Sequence, residues 1–440
     1  MKKSNNLAEG NVTKALLAFA GPMILGNLLQ QFYNIVDTWV VGRFVGADAL
    51  AAAGSAYTLM TFLTSILIGL CMGSGALLSF YYGSGEHEKM RDSMHAAFEL
   101  TGIIAFVLFA LVRIFTEPIL SFLRIPSELR FMMREYVVIV FWGIFFVFLY
   151  NFYAFLLRAV GNSVIPLAAL GIASILNIVL DLIFVVGLGY GMRGAAWATV
   201  IAQGVSGILL VCYVRVKLPD FRLSRNGFAS GKRYVGEILR YSVTTSAQQS
   251  VMNFGILLVQ GLVNSFGAEV MAAFAAAVKI DTFAYMPAQE FGNAYSIFVS
   301  QNYGAGKPER LKQGTKRAFL MSTVFCAAIS GIVFCLAKYL MMIFVDGSET
   351  EIIRIGIEYL RTEGAFYMGI GILFLLYGYF RGIGKPGVSL VLTVVSLGTR
   401  VILAYGLAAI PAVGVLGIWW AIPVGWALAD LTGGLFMRQK

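Results

Sequence analysis

Twelve long apolar runs, bounded by Gly, Pro and clusters of charge, organise the chain. They fall at about 14–42, 50–82, 94–116, 132–157, 164–188, 194–215, 236–265, 270–302, 316–345, 354–380, 387–410 and 415–437. At about 1.5 Å per helical residue, runs of this length cross a bilayer core. The first run is not uniformly apolar. Asn27, Gln30, Gln31, Asn34 and Asp37 recur every three or four residues and form one polar stripe on a helix. A membrane helix turns such a stripe toward protein or a wet cavity, and a carboxylate at that depth is by default functional.

Further stripes lie in the same half. Span five carries Ser174, Asn177 and Asp181, span six carries Thr199, Gln203 and Ser206, and span four carries Asn151. Two carboxylates with amides and a hydroxyl suit an alkali cation, and two close carboxylates suit a shared proton. Ser174 and Ser206 read more simply as hydroxyls that bond helices together.

The pattern repeats. Gly46-Ala47-Asp48 and Tyr82-Gly83-Ser84-Gly85 recur 221 positions later as Gly267-Ala268-Glu269 and Tyr303-Gly304-Ala305-Gly306. Arg158-x-x-Gly161 and Gly191-x-x-Gly194-x-x-Trp197 recur 223 positions later as Arg381-x-x-Gly384 and Gly414-x-x-Gly417-x-x-Trp420. Each copy holds six spans, an even number, so the copies are parallel repeats related by a pseudo-twofold along the membrane normal. The fold class expected is an all-α polytopic membrane protein of twelve transmembrane helices in two six-helix lobes. The lobes are placed at 1–215 and 236–440, with a polar cytoplasmic linker at 216–235 between them.

Composition agrees with the spans. Of 440 residues 59% are hydrophobic and 13% charged, against about 25% charged in soluble domains; mean hydropathy is +0.79. The net charge of +10 is assigned to cytoplasmic loops rather than to nucleic acid. Lys2, Lys3, Lys89, Arg91, Arg158, Arg215, Lys217, Arg222, Arg225, Lys232, Arg233, Lys307, Arg310, Lys312, Arg381, Lys385, Arg438 and Lys440 sit at one set of alternate span ends. Arg43, Arg124, Arg130 and Arg193 sit at the other, so both termini are expected in the cytoplasm. Cys71, Cys212, Cys326 and Cys335 lack metal-ligand spacing and read as small core residues, while His87 and His95 read as surface residues beside a basic loop. Neither Gly304-Ala305-Gly306-Lys307-Pro308 nor Gly382-Ile383-Gly384-Lys385-Pro386 fits a Walker P-loop, so ATP is not the expected drive.

Together these features resemble the multidrug and toxin extrusion (MATE) family over nearly the whole chain. The first span with Pro22 and Asp37, Arg158-Ala-Val-Gly161-Asn162, Asn177-x-x-x-Asp181, Thr199 and the two Tyr-Gly-x-Gly loops carry the resemblance. The acids in spans one and five resemble the DinF-type branch. That likeness implies a first-lobe site for Na⁺ or H⁺ at Asp37, Asn177, Asp181 and Thr199, with Asn151 nearby. It also implies a hinge at Pro22, where protonation would bend the helix; a static kink is the alternative. The NorM-type branch adds acids in spans seven and ten, whereas span seven here offers Thr244, Thr245, Gln248 and Gln249, and Glu363 lies near the end of span ten. Asn27, Gln31, Asn34, Gln248 and Gln249 are the candidate substrate cavity.

The repeat offsets put Leu258, Arg400, Ala404 and Ile422 in the places of Asp37, Asn177, Asp181 and Thr199. The second lobe is therefore expected to hold no cation site, and acids to energise the first lobe alone. Arg400 should pair with a buried acid, Asp281 or Glu290, in a charge network that also takes in Lys279. The function expected is a multi-pass antiporter of the cell membrane, not an enzyme. It would export organic, cationic or amphipathic compounds against Na⁺ or H⁺, as a monomer in the lipid bilayer, with no cofactor and no nucleic acid partner. The alternatives are a lipid-linked precursor flippase, needing cationic residues such as Arg400 and Lys279 at its cavity, and an intramembrane enzyme using Asp37 and Asp181.

Overall fold

The computed structural model describes residues 7–122 and 127–438; Lys2, Lys3, Arg124 and Lys440 lie outside them, as do the side chains of Asp48 and Arg225. The described residues are helical throughout, joined by short turns. The helices are α1 Val12–Phe44, α2 Ala47–Ser84, α3 His87–Phe122, α4 Ser127–Val140, α5 Ile144–Ala159, α6 Val164–Asp181 and α7 Gly191–Lys217. After the linker helix α8 Arg225–Gly231 come α9 Val235–Asn264, α10 Ala268–Gly304, α11 Pro308–Met341, α12 Thr350–Gly364, α13 Tyr367–Gly382, α14 Pro386–Ala408 and α15 Val415–Arg438.

Among the described residues ten spans are long and apolar enough to cross a membrane, and α12 with α13, bent by 50° where they meet, makes an eleventh if the pair is one span. The helix α9 takes the place of the remaining expected span. Its apolarity falls short because Ser242, Thr244, Thr245, Ser246, Gln248, Gln249 and Ser250 crowd its middle. Proline accounts for a further irregularity. The helix α3 leaves helical geometry at Phe115, three residues before Pro118, whose ring crowds the preceding turn. Pro22, by contrast, sits inside an unbroken α1.

The chain forms two compact units. One is Gly21–Ser246; the other joins Leu7–Ala20 to the chain from Ala247 onward. Both crossings fall inside helices, two residues before Pro22 in α1 and at the polar middle of α9.

In the first unit, close approach of α2 and α9 rests on a Gly-x-x-x-Gly pair. A Cβ on Gly69 would lie 2.5 Å from the Ser246 Cα, and one on Gly73 would strike the Tyr241 backbone. The contact brings Ser242 Oγ to the Leu70 carbonyl at 3.0 Å and Ser246 Oγ to the Ile66 carbonyl at 3.1 Å. Small residues let backbones meet, and the polar half of α9 finds its acceptors there. In the second unit α10 and α13 use the same device: a Cβ on Gly378 would lie 2.5 Å from the Gly292 carbonyl oxygen.

The linker is tied to the first unit through His95, which is fully buried rather than at the surface; His87 is exposed as expected. Its Nε2 lies 3.0 Å from the Ser224 N–H and so accepts, which makes Nδ1 the protonated nitrogen, donating to the Arg91 carbonyl at 2.7 Å. Phe228 of α8 meets the imidazole edge-on at 5.1 Å, and a Cβ on Gly227 would fall inside that ring. The neighbouring charges Arg91 and Asp92 had made the position look solvated. Segment 7–10 is held in the second unit by an equivalent strap. Arg310 donates to the carbonyls of Leu7, Glu9 and Gly10, Lys307 to that of Ala8, and the Gln301 amide oxygen accepts from the Leu7 N–H.

Cys71 and Cys326 are buried as expected, but Cys212 and Cys335 are exposed on the outer faces of α7 and α11.

Candidate ion site and the two acid pairs

Asp37, three turns into the polar stripe of α1, and Asp181, the last residue of α6, bring their carboxyls within hydrogen-bonding reach of one another. Asp181 is 0% exposed and Asn177, one turn earlier on α6, is 1% exposed. Among the described residues no donor reaches either oxygen of Asp181, Oδ1 of Asp37 or Oδ1 of Asn177, and no acceptor takes a hydrogen from Asn177 Nδ2. Tyr136 stands in electrostatic reach of both acids and Tyr33 in reach of Asp37.

The backbone explains how an acid ends up there. Beyond Asp181 the helix widens into a π-helical segment, Leu182–Gly187, with the Leu188 N–H bonded to Ile183 five residues back. Such segments re-aim side chains and recur at functional sites. Two facing carboxyls without donors can both stay ionised only beside a cation, and otherwise must share a proton. The arrangement thus fits a hard monovalent cation or a proton, with oxygens of Asp37, Asp181 and Asn177 as ligands.

The other expected ligands are less engaged. Thr199 is half-buried on α7, and Asn151 spends one amide hydrogen on the Val147 carbonyl at 2.8 Å in its own helix. The Ser174 and Ser206 hydroxyls bond back to Leu170 and Gln203 of their own helices. On α1, Asn27, Gln31 and Asn34 are half-buried, and the Asn34 amide reaches Gln31 at 3.5 Å. Gln248 and Gln249 line a small pocket within the second unit.

The second unit corrects one expectation: it too buries a pair of acids. Asp281 of α10 is 2% exposed and Glu363 of α12 is 3% exposed, and the two interact directly. Here, however, Asp281 is answered, while Glu363 Oε2 and Arg400 Nε have no hydrogen-bond partner among the described residues. Tyr359 donates to Asp281 Oδ2 at 2.8 Å, Tyr367 donates to Oδ1, and Arg400 lies within electrostatic reach of both acids. Trp419 closes the cluster, edge-on to Tyr359 at 4.8 Å. Arg400 thus acts on Asp281 and Glu363 through space, and among the described residues it makes no ion pair within 4 Å with either Asp281 or Glu290, the two acids expected to pair with it.

The expected four-charge network does not assemble. Lys279 sits over the Phe344 ring at 5.8 Å, and among the described residues it makes no ion pair with Asp281 or Glu290. Glu290 accepts from Asn293 at 3.3 Å and faces Arg381. Nine residues, about two and a half turns, put Glu290 on roughly the opposite face of α10 from Asp281, which sends each to a different cluster.

Comparison with known proteins gives the family. The MatE family model matches residues 22–183 and 244–406, one stretch in each repeat. The chain is 29% identical over 395 residues to "Probable multidrug resistance protein YpnP" of Bacillus subtilis (strain 168), covering 90% of this chain and 88% of that one. It is 26% identical over 432 residues to "Probable multidrug resistance protein YoeA" of the same organism, covering 96% and 93%. It shares its fold with a MOP superfamily transporter from Pyrococcus furiosus, at a TM-score of 0.90 and 24% identity over 100% of this chain and 98% of that one. These relatives are membrane transporters, not enzymes. With both repeats matched by the family model and an all-helical polytopic fold, the chain belongs to the MatE family of multidrug efflux transporters.

Proposed function

We propose that the protein is a secondary antiporter of the cell membrane, with both termini in the cytoplasm and lobes at 1–215 and 236–440. It exports organic cationic or amphipathic compounds in exchange for Na⁺ or H⁺ by alternating access. The observation that carries this reading is the Asp37/Asp181 pair, Asp181 fully buried and Asp37 half-buried, with no donor among the described residues to either oxygen of Asp181 or to Oδ1 of Asp37. Asp281 is answered by two tyrosine donors with Arg400 in electrostatic reach; among the described residues neither first-unit acid takes a comparable donor. A proton or alkali cation supplies what they lack, and its arrival and departure give the ion different affinities in different states. Coupling requires that difference. Pro22, two residues past the point where α1 passes between units, is the natural place for the helix to bend in response.

The test is dye efflux from cells or vesicles. Asp37→Asn and Asp181→Asn should each reduce ion-driven efflux to background while leaving the protein in the membrane at wild-type amount. Wild-type efflux from either variant would remove that acid from the mechanism.

A further inference from the structure

The second unit holds a small pocket lined by none of the four acids. Gln248 and Gln249 of α9, Gln289 and Asn293 of α10, and Tyr377 and Arg381 of α13 line it, with Phe374 on the wall. Among the described residues the amides of Gln248, Gln249 and Gln289 have no protein partner, although Gln248 is only 2% exposed. Their amide groups line the pocket's open space, where a bound group would meet them.

Packing alone does not ask for them. At the repeat offset of 221, Gln289 and Asn293 fall on Ile68 and Met72, which lie in the apolar core of the first unit. The same helix position is therefore filled by hydrocarbon in one copy and by amides in the other.

The chemistry of the lining selects an occupant. Arg381 is buried, but its charge is spread into hydrogen bonds to Ser296 Oγ at 3.0 Å and Asn293 Oδ1 at 3.1 Å, and Glu290 opposes it. No bare charge is left to hold an ion. Each glutamine amide offers a donor and an acceptor side by side, which matches a group with adjacent N–H and C=O. Phe374 and Tyr377, 6.4 Å apart, favour a flat ring beside them. The pocket is too small for a whole drug-sized molecule, so it reads one edge. We infer that this pocket is a substrate subsite for an uncharged planar compound presenting an imide or amide edge, a class distinct from the cations expected of the exporter. This rests on the export reading, since the pocket is assigned to cargo.

Lumiflavin, a flat uncharged fluorescent imide, and its N3-methyl derivative, which lacks the imide N–H, separate the possibilities. Fluorescence titration of the purified full chain in detergent, with no ion gradient, should show lumiflavin binding at least about tenfold tighter, the scale of one lost hydrogen bond. Gln289→Ile, the residue the first repeat carries, and Gln248→Leu should each erase that preference while keeping a monodisperse elution profile. Equal affinity for the two flavins, no binding of either, or a preference that survives both substitutions would overturn the assignment. A flat titration with intact dye efflux removes the subsite and keeps the exporter; a clear preference with no ion-driven efflux does the reverse.

Discussion

Asp281 takes hydrogen bonds from Tyr359 and Tyr367 while Asp181, equally buried, takes none from the described residues. The two aspartates should respond differently to the same treatment. Asp281→Ala strips two buried hydroxyls of their acceptor and leaves Arg400 facing Glu363 alone, at a cost of about 2–4 kcal/mol. The melting temperature in detergent should fall by several degrees, and an unchanged melt would mean that the cluster does not stabilise the unit. Asp181→Asn, which relieves two like charges, should melt no lower than wild type while transport is lost. Asn177→Ala should spare the fold and weaken Na⁺ stimulation of efflux about tenfold, the worth of one oxygen ligand; if H⁺ alone drives the cycle, the change will register in the pH dependence instead. Asp37 and Asp181 were legible in the sequence because a lone acid inside an apolar run has few ordinary explanations. Glu363 was not, because Glu358 and Arg361 beside it make that stretch resemble a helix end at the interface, and tyrosines signal nothing among 20.

Helix contacts in both units depend on missing side chains. Gly73→Ile would drive a branched side chain into the Tyr241 backbone and break the Ser242 and Ser246 bonds to α2. Overpacking of this kind costs about 1–3 kcal/mol or more where the obstacle is backbone, so the variant should reach the membrane in reduced amount. Gly227→Ala should push α8 away from His95 and expose the linker. Trypsin should then cut faster at Arg222, Lys232 or Arg233, and an unchanged digestion rate would show that α8 does not dock through His95. Apolar periodicity predicted the spans well because lipid imposes it on every helix. The polar middle of α9 departs from that rule, since its serines and glutamines answer to neighbouring helices and a pocket rather than to lipid. The burial of His95 was equally hidden, being set by a segment 129 residues further along.

For the molecule as a whole, the repeat set the expectation that one half keeps acids and the other has lost them. The structure replaces that contrast with another: each half holds an acid pair, and among the described residues Asp281 of the second pair takes two tyrosine donors while neither acid of the first pair takes one. Residue identities carried across an offset could not reveal this, because the second pair comes from α10 and α12 rather than from the counterparts of α1 and α6. Separate Na⁺ and pH jumps on dye-loaded vesicles identify the coupling ion. A response to Na⁺ at fixed pH assigns the site to the metal ion, and a response to pH alone assigns it to the proton.

The proposed antiport, taken with one ion bound at the Asp37/Asp181 pair, has an electrical consequence. One monovalent ion entering for each uncharged molecule leaving moves one net charge, so such cargo should register as current on a supported membrane. At 100 mV that charge is worth about 2.3 kcal/mol, or about fifty-fold in attainable gradient. A singly charged cargo leaving by the same route should be electrically silent.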